Sequence, residues 1–412
     1  REQPNILYKN NNGILEEMDH PLISSFNHSS LNAVWTDLNN DLKQDLIISE
    51  EGINHIYINR GLLKFELLKN SGINEKNDIT YGCSPTDFNN DGLMDLFFIN
   101  WAGKNNLYIN NGNLKFKKVE TGDIVHDYDN SEGSCWGDFD NDGYSDLIVT
   151  NDGVNRLYKN INGEYFKKMN IPGLTDLEKN SNGVVWVDAN NNGFLDLFLS
   201  TYDGGNYIVL NVIGNFKNAN IIDAPGPENA VTMAVSFTDL NKDSWLDFYL
   251  GNWGFGSYTR YKAPQMYTSN TMVYNRNLNF QSVQIEEGSA ETLTVLFSDF
   301  NNDNMMDLLV GNDFKPADEY YQGTENGLQR STIADSMFRV SPYYTMSITT
   351  ADINNDLLLD TYAAGLNFDG PALTSEEEDV ANNSSYDNDN FHNFCKGYEN
   401  ERDYKLCMEV MN

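Results

Sequence analysis

Short apolar runs recur along the chain, and each is entered from an acidic stretch. They read LIISE (46–50), LFFIN (96–100), LIVTN (147–151), LFLST (197–201), FYLGN (248–252), LLVGN (308–312) and TYAAG (361–365). Runs this short, bounded by turn-forming residues, predict buried strands rather than helices. The acidic stretches begin at Asp37, Asp87, Asp138, Asp188, Asp239, Asp299 and Asp352, at intervals of 50, 51, 50, 51, 60 and 53 residues. Between them stands a second pattern, two strand-like segments around an Asn/Gly turn. It is clearest in HIYINRGLLKF (55–65), NLYINNGNLKF (106–116), RLYKNINGEYF (156–166) and YIVLNVIGNF (207–216), and looser in MVYNRNLNF (272–280) and EYYQGTENG (319–327). Asn and Gly supply the positive φ that tight hairpins need.

A unit of about 50 residues with four short strands predicts a β-propeller rather than an open solenoid. One further hairpin, NILYKNNNG (5–13), opens the chain, and none follows the acidic loop at Asp352. The two ends therefore read as halves of one unit. The expected fold is all-β: a seven-bladed propeller over residues 1–370, closed by pairing the first strands with the last. The 60-residue interval is assigned to a protruding loop, GFGSYTRYKAPQMY (254–267). Large rings stand two positions before the first Asp, at Trp35, Trp136, Trp186, Phe237 and Phe297. They predict packing between neighbouring blades; the competing use is an aromatic ligand platform.

Within each nine-residue acidic loop, positions 1, 3, 5 and 9 carry oxygen-bearing side chains. These are Asp37, Asn39, Asp41 and Asp45; Asp87, Asn89, Asp91 and Asp95; Asp138, Asp140, Asp142 and Asp146; Asp188, Asn190, Asn192 and Asp196. The series continues with Asp239, Asn241, Asp243 and Asp247; Asp299, Asn301, Asp303 and Asp307; Asp352, Asn354, Asp356 and Asp360. Position 7 varies freely, as expected where only the backbone carbonyl is used. The pattern suits a hard cation, and calcium, with six to eight oxygens in flexible geometry, suits it better than magnesium. No Cys or His stands at ligand spacing, which argues against zinc or copper. The bland reading is a set of Asx-turns needing no ion. Up to seven calcium sites are expected, but not equal ones. Position 6 calls for a left-handed residue, and Gly92, Gly143, Gly193 and Asn304 serve where Leu42, Ser244 and Leu357 are strained. The weakest sites are expected at the Asp37 and Asp352 loops, and a reduced one at Asp188, whose loop keeps only two carboxylates.

Composition narrows the uses. The 412 residues carry 61 acidic and 27 basic side chains, a net charge of -34, and are 40% hydrophobic. Such a charge repels nucleic acid, and no apolar run is long enough to predict a transmembrane segment. A chain beginning at Arg1 fits a processed product, and a secreted, periplasmic or cell-surface location is expected. Residues 371–390 read as an acidic linker. Residues 391–412 read as a helical tail, with Cys395 and Cys407 bridged in a stapled hairpin or the tail serving as a docking element. Cys83 and Cys135 are either bridged between adjacent blades or two buried thiols.

The stretch CWGDFDNDGYSDLIVTNDGVNRLYKN (135–160) resembles the FG-GAP or VCBS repeat of integrin-α-like propellers, and the resemblance runs from residue 1 to about 370. It implies calcium at each acidic loop through the residues just named. Gly251-Asn252-Trp253-Gly254 with the following YKA resembles bacterial propellers that precede an ASPIC/UnbV domain, and no such C-terminal domain is expected here. The family resemblance implies adhesion, carbohydrate contact or protein assembly. The five histidines (20, 28, 55, 126 and 392) form no recognisable catalytic arrangement. The expected function is therefore a non-enzymatic, calcium-binding module for a protein partner or surface glycan. Alternatives are a lectin using Trp101, Trp253, Phe255 and Tyr258, and a polysaccharide lyase or hydrolase.

Overall fold

In the computed structural model, the described residues are 5–365 apart from 12, 25–29, 74–77, 177–179, 203–204, 218, 227–230, 254–268, 286–290, 314–316 and 332–344. The tail with Cys395 and Cys407, the linker and the 254–267 insertion with Phe255 and Tyr258 lie outside them. What is described is all-β, save one turn of 3-10 helix at Asp123–Val125. Among the described residues no helix is long and apolar enough to cross a membrane.

The repeat folds as antiparallel four-stranded units. In the third, strands Ser131–Gly137, Asp146–Asn151, Arg156–Ile161 and Tyr165–Met169 pair in sequence order. We number the sheets by their first strands: Ser30–Thr36, Asp78–Thr86, Ser131–Gly137, Ser181–Val187, Val231–Thr238, Thr292–Ser298 and Thr345–Ala351. Sheets 1 and 2 are joined edge to edge where Glu51 and Gly52 pair with Ile79 and Asp78. Sheet 7 takes two strands from each end of the chain. Ile6–Asn11 pairs with Asp360–Gly365, Leu7 facing Tyr362, and Ile14–Met18 completes the edge. The mixed origin agrees with the sequence pattern, in which no hairpin signature follows the acidic loop at Asp352.

The second strand of each sheet holds the core. DLFFIN (95–100), DLIVTN (146–151) and DLFLST (196–201) are buried along their whole length, which explains apolar runs without alternation. The rings before the loops pack on the preceding sheet. Trp136 donates its indole N–H to the Ser84 carbonyl at 3.1 Å, and Trp186 donates to that of Cys135 at 3.0 Å. Trp35, Phe237 and Phe297 lie 6.2, 5.6 and 6.5 Å from Tyr362, Phe198 and Tyr249. The five rings are packing residues. Cys83 and Cys135 are free thiols in separate apolar clusters, and burial pushes both thiol pKa values up.

First strands of successive sheets pack side by side, and Thr345–Ala351 packs in turn against Ser30–Thr36. A polar link accompanies each contact at the end away from the acidic loops. Asn54, Asn105, Asn155, Asn206, Asn270 and Asn5 donate from Nδ2 to the hydroxyls of Thr80, Ser131, Ser181, Thr232, Thr292 and Ser30, at 2.9–3.1 Å. The seventh link is inverted: Thr345 donates to Asp318 Oδ2 at 2.8 Å. A carboxylate cannot donate, so the hydroxyl must. Thr80, Ser131, Thr232 and Thr292 spend their proton on Asn100, Asn151, Asn252 and Asn312, whereas the matching residue in sheet 7 is Gly365, which offers no such acceptor.

Burial raises the Asp318 pKa to about 7, against hydrogen bonds from Asn312 N–H and Thr345 that lower it. A carboxyl whose pKa is raised on folding contributes most at low pH and loses that contribution as pH climbs through about 7. Asp318→Asn restores a donor and removes the titration. It should melt above the wild type at pH 8, with the gap narrowing as pH falls towards 4, in thermal scans across that range.

The acidic loops share one backbone. Position 6 has positive φ in all seven, including Leu42 (64°), Ser244 (71°) and Leu357 (67°), as the spacing required. Leu42 is 83% exposed and recovers little by burial. Leu42→Gly should therefore stabilise the protein by about 1 kcal/mol, the left-handed strain removed less the extra chain entropy of Gly. An unchanged or lower urea midpoint would contradict this.

Candidate metal centres

Each acidic loop joins the first strand of its sheet to the second, and its carboxylates are first of all ligands of the backbone. The position 1 aspartate accepts from the amides of positions 5 and 6, as when Asp138 takes Asp142 N–H at 3.0 Å and Gly143 N–H at 2.8 Å. The same pair recurs from Asp37 to Asp352. The position 5 oxygen accepts from the amide of position 7. Asx-turns thus build the loops whether or not an ion is held.

Position 9 does something different. Asp45, Asp95, Asp146, Asp196, Asp247, Asp307 and Asp360 are fully buried. One oxygen of each accepts from a backbone amide of the following hairpin, at 2.7–3.0 Å, from Asn59, Asn110, Asn160, Asn211, Asn275, Gly323 and Asn10. In six of them the other oxygen accepts from position 2 of its own loop, for example Phe139 N–H at 3.2 Å on Asp146, whereas Asp95 Oδ2 is buried with no hydrogen-bond partner. Burial, reinforced by neighbouring loop carboxylates, raises Asp95 and Asp146 to about 7 and Asp45, Asp196 and Asp360 to about 6. The backbone amides do not fully offset the desolvation of these carboxylates.

At the Asp138 loop, Asp138, Asp140 and Asp146 each bring an oxygen within 4.8 Å of the others, the one such group among the described residues. Asp140 Oδ1 is buried with no hydrogen-bond partner. An all-oxygen donor set with an orphaned carboxylate oxygen fits a hard cation. In the other loops position 3 is Asn39, Asn89, Asn190, Asn241, Asn301 or Asn354, a neutral ligand, so the tri-aspartate group does not form there.

Two sets of residues went unnoticed in the sequence. Position 4 also has positive φ, from 55° to 60°. Its side chain reaches the position 6 carbonyl of the next loop: Asn40 to Gly92 at 2.7 Å, Asn90 to Gly143 at 2.9 Å, Asn141 to Gly193 at 3.0 Å, Asn191 to Ser244 at 2.9 Å. Lys242 and Asn302 continue the series to Asn304 and Leu357. The second set is the hairpin asparagines. Asn110 donates to the carbonyls of Met94 in its own loop and Leu38 in the preceding one. Asn59, Asn160, Asn211, Asn275 and Asn10 do the same. Asn59 thereby ties sheet 1 to Ile353 of sheet 7. The signal was present, an Asn at a fixed place in six of seven copies, but it reads equally well as turn chemistry.

Of the expected aromatic platform, Trp101 is stacked on Tyr81 with centroids 5.3 Å apart, and Trp253 is half-buried at the end of Asp247–Trp253.

Several solved structures share this fold. An Agrocybe aegerita lectin described by its recognition of non-reducing terminal N-acetylglucosamine aligns with TM-score 0.54 at 12% identity, over 89% of this chain and 96% of that one. BBS1N, solved in complex with ARL6DN, aligns with TM-score 0.51 at 11% identity, over 88% and 98%. The extracellular domain of a putative hybrid two-component system from B. thetaiotaomicron aligns with TM-score 0.50 at 12% identity, over 81% of this chain and 38% of that one. Identities this low speak for fold alone. No curated protein is similar enough in sequence to count as a relative. Residues 37–98, 87–149, 138–199 and 188–250 each match the FG-GAP-like repeat. These segments run unbroken over more than half of the chain, each pairing one acidic loop with the next, and on that ground the chain belongs to the FG-GAP-like repeat family.

Proposed function

We propose that the protein is a closed, seven-bladed β-propeller whose acidic loops hold calcium, and that it works as a non-enzymatic interaction module, secreted or displayed at a surface. The observation that carries the closure is the cycle of seven inter-sheet links from Asn5–Ser30 round to Asp318–Thr345. The observation that carries the metal is the tri-aspartate group with its orphaned oxygen. Asp138, Asp140, Asp142 and Asp146, with the position 7 carbonyl, would hold the ion at that loop. The corresponding positions would do so at the other six, more weakly at Asp37, Asp188 and Asp352. Bound calcium supplies positive charge that the buried position 9 carboxylates otherwise lack, and the chain's residues keep the loops in register around it.

The metal on this reading is structural, and recognition falls to the opposite end of the sheets. Trp253 and Thr271, the strand ends flanking the 254–267 insertion, lie there, as does the Tyr81–Trp101 stack. A protein partner is the first reading, in keeping with the structural likeness to BBS1N, which is itself solved with a protein partner. A glycan is the second, favoured by the stacked aromatics and the likeness to a lectin.

Two outcomes are expected. Excess EGTA should lower the melting temperature by more than about 5 °C, as unpaired like charges loosen the loops; an unchanged melting curve would rule out structural calcium. On a glycan array, loss of signal in Trp101→Ala with unchanged melting would establish the lectin reading, and absence of any wild-type signal would dismiss it.

A further inference from the structure

The loop richest in carboxylates carries its own cation. Lys159 lies on the hairpin strand Arg156–Ile161, and its ammonium bridges Asp140 and Asp142, 3.0 Å from Asp142 Oδ2. Its side chain also passes over the Phe139 ring, 5.7 Å from the centroid. The residue is placed by register. It immediately precedes Asn160, whose amide is held by Asp146. The same place in the other sheets is taken by Ile58, Ile109, Leu210, Tyr274, Gln322 and Lys9, each preceding the residue that binds its own position 9 aspartate. The Asp138 loop is also the one with an acid at position 3, so the extra carboxylate and the bridging ammonium occur together.

We infer that Lys159 is a tethered counter-ion that occupies the Asp138 loop in the absence of metal and is expelled when calcium enters. The inference rests on the calcium reading above. Asp140 and Asp142 are ligand positions 3 and 5, and an ammonium held on the Oδ2 atom of each puts a positive charge within a few ångströms of any ion taken up by the remaining oxygens. A lysine within a few ångströms of a divalent cation weakens its binding strongly even under solvent screening. The loop that looks strongest by its four carboxylates is therefore not the tightest site. It is an exchangeable one, and its filling releases a lysine to the surface beside the Gly163 hairpin turn.

Amine-directed labelling read by mass spectrometry, with calcium or EGTA, tests this directly, with exposed Lys167 as the internal control. Lys159 should be protected in EGTA and labelled several-fold faster in calcium, while Lys167 stays constant. In calorimetric titrations, Lys159→Met should bind one calcium about tenfold more tightly than the wild type. In EGTA the same variant should melt below the wild type, because four carboxylates are left unbalanced; this arm does not depend on metal. Calcium bound by the wild type, with equal Lys159 labelling in both conditions and no gain in Lys159→Met, overturns the inference but leaves the calcium reading intact. A wild type that binds no calcium overturns both.

Discussion

The buried carboxylate at the mouth of each second strand is the constraint on which the rest of the structure depends. Asp146 and its six counterparts are removed from water, yet each joins three elements: its own loop, the strand it opens and the hairpin that follows. A buried carboxylate is costly unless its lone pairs are met, and the backbone supplies two amides for the purpose at six of the seven and one at Asp95. That demand fixes the loop conformation, and the loop conformation fixes the left-handed residues at positions 4 and 6. The positioned loops then receive the hairpin asparagines and the position 4 side chains, which bind one sheet to the next. Raised pKa values at five of these aspartates, to about 6 or 7, show that the amides alone leave the charge incompletely stabilised. On the proposed function, a cation completes the arrangement.

Much of this was legible in the sequence because it repeats. Seven acidic loops, six hairpins between them and a seventh at residues 5–13 were enough to foresee that both ends share a sheet. The alternation of oxygen ligands anticipated which positions face the loop interior, and Gly92, Gly143 and Gly193 anticipated the turn that Leu42 and Leu357 adopt against their preference. The links between sheets were not legible. An asparagine before a strand can cap, turn or reach across, and only three-dimensional register shows that Asn105 meets Ser131 in the next sheet. Lys159 was hidden for the same reason, being twenty-one residues after Asp138 on another strand.

The two ends of the sheets consequently differ in character. One is committed to joining neighbouring sheets, through the hairpin asparagines and the position 4 side chains of the acidic loops. The other carries the Asn–Ser/Thr links beneath connections of varied length, with Trp101 stacked on Tyr81 among them. On the proposed function, recognition is assigned to this second end and not to the aspartates.

Native mass spectrometry of the protein transferred from calcium-containing buffer tests the central claim most directly. The account predicts a folded charge-state distribution with several bound calcium ions, up to seven, lost stepwise on chelation as the distribution shifts to extended states. A folded distribution at the mass of the bare polypeptide, unaltered by chelation, would contradict it.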